Sequence, residues 1–144
     1  MRPMEPRDLA LAHARGRMLV GAAFVLAPGL AGRLWIGGDA ARRPVKVLAR
    51  AFGVRDFALG LGVVIALDRG APVRGWLEGG VLSDAVDVCA ALLAGDSIPA
   101  NLRRGALALG ASSALLGAGL SRALDQPVPA GEVHAPEAAL TGHH

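Results

Sequence analysis

A chain of 144 residues is of single-domain length. Hydrophobic residues make up 53% and charged ones only 19%, with three Phe, two Trp and no Tyr, a poor inventory for filling a soluble core. The formal charge of +3 rests on arginine, no basic run carries interleaved aromatics that would suit a nucleic-acid partner, and the single cysteine, Cys89, excludes an intrachain disulfide.

Residues 1–15 hold Arg2, Arg7 and Arg15 beside Glu5 and Asp8, and predict an interfacial segment with a short amphipathic helix opening at Pro6. Arg17 closes this basic stretch and counts as a flanking charge. The first span is expected over Met18–Ile36, kinked at Pro28-Gly29, with Trp35 at the interface. Arg42, Arg43 and Lys46 hold the following turn in water.

The second span, Val47–Leu67, is as long as a bilayer crossing yet carries Arg55 and Asp56 near its middle. Ala58, Gly62 and Ala66 form a row of small residues that allows a neighbour to approach closely. Asp68–Pro72 predicts a turn. The third span, Val73–Leu93, is anchored by Trp76 and places Asp84 and Asp87 on one helical face. The fourth, Gly105–Ser121, has no charge and two rows of small residues, Gly110/Ala114/Ala118 and Ser113/Gly117/Ser121. Residues 125–144 are rich in proline and polar groups and read as a disordered tail.

Four spans joined by short turns predict an all-α, up-down-up-down transmembrane bundle over residues 16–124, with both termini on one side. In such hairpins, residues equidistant from a turn share a height. Turns centred near residues 71 and 99 then put Arg55, Asp56, Asp84, Asp87, Ser112 and Ser113 into one slab near mid-bilayer. An isolated Arg or Asp at a span centre costs roughly 2.5–3.5 kcal/mol. The charges must therefore turn inward, with Arg55 bridging to Asp84 or Asp87. They do not balance. Arg50, Arg55 and the three aspartates leave one negative charge, or two if Arg50 stays near the interface, so the layer as a whole is expected to hold at least one proton near neutral pH.

At GVRDFALGLG in the second span and SDAVDVCAALL in the third, the chain resembles small uncharacterised four-helix membrane proteins of high-GC bacteria. In broad outline it is similar to the DoxX-like proteins, some of which accompany respiratory or redox complexes. The resemblance covers about residues 16–124 and implies a four-helix bundle without carrying over any functional residue.

No hydrolytic set and no metal-ligand spacing stand in the sequence, so neither catalysis, a metal nor a cofactor is expected from it. Two roles follow for the polar layer. One is interhelical glue in a non-enzymatic accessory or assembly subunit, whose fourth span would dock a helix of a larger membrane complex or of a second copy. The other is a binding layer in a proton-linked carrier or lipophile-binding protein. The expected location is the cytoplasmic membrane. A bias of seven basic residues against six leans the termini toward the cytoplasm.

Overall fold

A computed structural model describes residues 4–125, and among them every regular element is helical. The expected tail, residues 125–144, lies outside the described part apart from Asp125. Five α-helices run in order: α1 (Pro6–Leu26), α2 (Pro28–Ile36), α3 (Arg43–Asp68), α4 (Arg74–Ala94) and α5 (Ala100–Leu124). Short 3-10 turns, Gly37–Ala41 and Gly95–Ser97, follow α2 and α4. Two of the helices, α1 and α5, are long and apolar enough to cross a membrane.

The main departure from expectation is at the start of the chain. Residues 6–15 are not a separate interfacial piece, because α1 runs unbroken from Pro6 with Ala10 and Ala14 fully covered. The kink expected at Pro28-Gly29 is instead a break. Ala27 leaves the helix at φ −130°, ψ 58°, and α2 restarts with Pro28 in its first turn. The cause is local. Proline disfavours helical geometry at the residue before it and has no N–H to donate, whereas at a helix start neither defect matters. The long first helix is thereby shifted toward the N-terminus, and Arg17 moves from its flank to its centre.

The four long helices pack as α1 on α3, α3 on α4, α4 on α5 and α5 back on α1. Glycine sets the tightest of these seams. The buried side of α1 is Ala10, Ala14, Arg17, Gly21 and Phe24, alternating steps of four and three. It meets Gly53, Asp56 and Gly60 of α3. A Cβ on Gly21 would lie 2.5 Å from the Gly53 carbonyl oxygen, and one on Gly60 would lie 2.5 Å from that of Ala14. Backbone therefore touches backbone, which no larger residue permits. Of the expected row on α3, Gly62 and Ala66 are buried, with Gly62 under the Trp76 ring, while Ala58 faces outward.

The rows on α5 also differ from expectation. Gly110 packs on Val88 and Gly117 on Val81, Ser113 reaches Asp84, and Ser121 is buried. Close approach is thus used against α4, within the chain, and not kept for a foreign helix. The α4–α5 seam and the α1–α3 seam are the bundle's two halves.

Along the bundle axis the interior changes character twice. At the end where α1 begins and α5 stops, Val63, Leu67, Leu77 and Leu120 form an apolar plug with Ala10 and Ala14. There Arg7 Nη2 donates to the Leu67 carbonyl at 2.8 Å and Arg74 pairs with Asp125. At the other end Phe24, Trp35 and Phe52 stack edge to face, the Phe24 centroid 5.9 Å from Trp35 and 4.9 Å from Phe52. Between plug and aromatics lies the charged layer.

Candidate binding site: a charged layer beneath a cavity

Each long helix contributes polar residues at its own midpoint. Arg17 lies one residue past the middle of α1, Arg55 and Asp56 straddle that of α3, Asp84 is that of α4, and Ser112 that of α5. Helices of similar length packed side by side put their midpoints at one height, which is why the layer is thin.

Arg17 is its centre. Its side chain is 8% exposed, and it donates Nη1 to Asp84 Oδ2 at 2.7 Å and Nη2 to Asp56 Oδ1 at 2.8 Å. The planar guanidinium thus ties α3 to α4 from α1, a fork that an ammonium could not reproduce. Ser113 of α5 completes the contact, its hydroxyl donating to Asp84 Oδ2 at 2.7 Å while accepting from Arg17 Nη1 at 3.4 Å. Gly80 makes room: a Cβ there would lie 3.3 Å from Arg17 Nη1.

A second pair sits beside the first. Arg55 donates to both oxygens of Asp87, at 2.6 and 3.3 Å, and approaches Asp56 Oδ1 at 3.5 Å. Its guanidinium also lies 4.6 Å from the centroid of the Phe52 ring. This pair is wetter than the first, with Arg55 36% and Asp87 27% exposed. Asp56, touched by both arginines, joins the two pairs into one network.

Of the residues expected in the layer, Arg55, Asp56, Asp84, Asp87 and Ser113 are brought together, and Arg55 bridges to Asp87 as one of its two expected partners. Asp84 is held by Arg17 instead. Ser112 shares the height but is exposed and makes no hydrogen bond to these charges among the described residues. Arg50 stays outside the layer, its Nε donating to the Val25 carbonyl at 3.3 Å. Arg17 is the residue that sequence reasoning missed. Its signal was present, since it continues the 4-3-4 spacing of Ala10, Ala14 and Gly21. It is hidden when the first span is started at Met18, twelve residues past the true start of α1 at Pro6, which leaves Arg17 as a flanking charge.

Above the layer opens a cavity of about 380 Å³. Its floor is Arg17, Asp56 and Asp84, with Asp87 and Ser113 at the sides. Its walls are Val20, Trp35, Phe52, Leu109 and Leu116, and the exposed residues Gly16, Leu109 and Ser112 form the rim between α1 and α5. His13 also lines it. The combination of mostly apolar walls and a few convergent polar groups is the usual anatomy of a small-molecule site, and the volume is at the lower end of that class.

Fold and site together define a class: an all-helical bundle with a buried arginine–aspartate network under an amphipathic cavity. Comparison with family models, with curated proteins and with solved structures gives no match, so the functional reading rests on the geometry.

Proposed function

We propose that this is an integral membrane protein of four crossings, with α1, α3, α4 and α5 as its spans, that binds an amphipathic lipophile in the cavity above the Arg17 network. The reading of the bundle as membrane-embedded is supported by its inverted polarity. The buried positions of α1, α3 and α4 are mainly glycine, alanine and charge, whereas Leu19, Leu26, Val54, Leu82, Val86 and Leu115 point outward at 55–81% exposure. Water would penalise such a surface and lipid favours it. The 21 residues of α1 and of α4 rise about 32 Å, matching the hydrocarbon thickness. Charges on α3 and α4 are compatible with crossing because their partners lie inside the bundle.

One observation carries the binding reading: the cavity is lined by exposed residues of both α1 and α5, Gly16, Leu109 and Ser112, near the midpoints of those helices, and it joins apolar side chains to Arg17, Asp56 and Asp84. A molecule entering from the hydrocarbon would keep its tail among Val20, Leu109 and Leu116 and bring a polar head to Asp56, Asp84 and Arg17. The accessory-subunit alternative is less supported, since the small-residue rows meant to dock a partner pack against α4.

Trp35 lines the cavity, so a Trp76→Phe protein carries a single reporter there. In phosphatidylcholine bilayers, 8-bromo-octanol should quench Trp35 saturably, and Gly16→Leu, which fills the rim, should remove the saturable part. Quenching that rises linearly with the alcohol in both proteins would overturn the binding reading.

A further inference from the structure

We infer that the molecule this cavity selects is an amphipathic cation, a single-chain protonated amine, in preference to a neutral or anionic lipophile. The inference rests on the lipophile-binding reading and adds the sign of the head group.

The charge count of the layer is the first support. Facing the cavity are His13 and Arg17 from α1, Asp56 from α3, and Asp84 and Asp87 from α4, while α2 and α5 contribute no charged group to it. Arg55 backs Asp87 and Asp56 from α3. With neutral histidine, two guanidinium groups stand against three carboxylates, one negative charge in excess. In surroundings of low dielectric such an excess strongly attracts a proton or a positive guest, and repels an anion.

The second support is where the spare acceptors lie. Asp56 gives only Oδ1 to the arginines and Asp84 gives only Oδ2 to Arg17 and Ser113. Their side chains are 9% and 10% exposed, and the other oxygen of each has no donor among the described residues, though both side chains line the cavity. Two nine-tenths-buried carboxylates with an open acceptor each make a built site for a donor head. Arg17 is the poorer partner for an anion: Nη1 is committed to Asp84 and Ser113, one Nη2 hydrogen to Asp56, and the unpaired Nε is buried. Trp35 and Phe52 supply the third support, since aromatic walls attract an ammonium and not an anion.

The test uses three amphiphiles with the same eight-carbon chain: octylammonium, 1-octanol and octanesulfonate. Each is titrated calorimetrically into the full-length protein in phosphatidylcholine nanodiscs, with empty nanodiscs as the blank. The ammonium should bind at least about tenfold more tightly than the sulfonate, with octanol between them. Asp87→Asn makes the layer neutral at its most solvated acid, and should cut the preference for the ammonium over octanol several-fold. Gly16→Leu should abolish all three, which assigns the heat to the cavity. Octanol binding with equal or tighter sulfonate binding overturns the charge inference alone. Failure of octanol and both ions to bind above the blank overturns the lipophile reading and this inference with it. An ammonium preference unchanged in Asp87→Asn overturns the proposed origin of the selectivity.

Discussion

Replacing Arg17 by methionine tests the network at its centre, because the new side chain keeps much of the length and apolar stem while losing every donor. In the native protein Arg17 supplies the charge-assisted bonds at 2.7 and 2.8 Å that hold Asp84 and Asp56. Without it Asp84 retains only the Ser113 hydroxyl, and Asp56 only Arg55 at 3.5 Å. Breaking a buried pair by removing one partner costs about 3–5 kcal/mol, mostly through the charge left behind. Here two carboxylates at 9% and 10% exposure are left, so the upper half of that range is expected. Arg55→Met removes a bidentate bond to Asp87, but those side chains are 36% and 27% exposed, and water takes over part of the solvation. Its expected cost is about 1 kcal/mol. Adding Asp84→Asn to Arg17→Met removes one stranded charge, and should return stability, with a coupling of about 1–3 kcal/mol between the two sites. Reversible unfolding in mixed micelles by sodium dodecyl sulfate, followed by far-ultraviolet circular dichroism, measures the native protein, the single variants Arg17→Met, Arg55→Met and Asp84→Asn, and the double variant. If Arg17→Met costs no more than Arg55→Met, or if Arg17→Met and Asp84→Asn are additive, Arg17 does not hold the layer together.

Three further outcomes follow from the packing. Gly21→Ala would place a methyl 2.5 Å from the Gly53 carbonyl oxygen and should destabilise by about 1–3 kcal/mol in the same assay, by forcing α1 from α3; an unchanged midpoint would contradict the backbone contact. Gly16→Ala lies on the same helix with nothing within 4 Å, so it should stabilise by roughly 0.5–1 kcal/mol through helix propensity alone. Cys89 is exposed and sits five residues before the end of α4, about 8 Å of helix rise from it. In intact membranes a polar maleimide should leave it unmodified, because a hydrophilic reagent does not partition into hydrocarbon, and should label it fully after denaturation. Rapid labelling in the intact membrane would argue that α4 is bathed in water.

The helices of the last two hairpins were legible from apolar length and turn chemistry. The spans expected at Val47–Leu67, Val73–Leu93 and Gly105–Ser121 each lie within or one residue outside the helices found. Equidistance from the turns near 71 and 99 was enough to bring Arg55 to Asp87 and Ser113 to Asp84. The first hairpin did not yield to the same reasoning, because it has no simple turn. Between α1 and α3 stands α2, and the fold-back is governed by the Ala27 break and the glycine contacts of Gly21, Gly53 and Gly60, which are tertiary facts. An apolar run that continues through Pro28 to Ile36 looks like one span when only hydropathy is weighed. The missing cation could nevertheless have exposed the mistake. Three acids against one buried arginine is a costly balance, and the nearest unused arginine on an apolar 4-3-4 face was Arg17. Placing it inward moves the first long helix to Pro6–Leu26 and leaves α2 to carry Trp35 to the cavity wall. The imbalance in charge was therefore informative about topology first, and the one negative charge that Arg17 leaves uncompensated is the basis of the proposed preference for a cation.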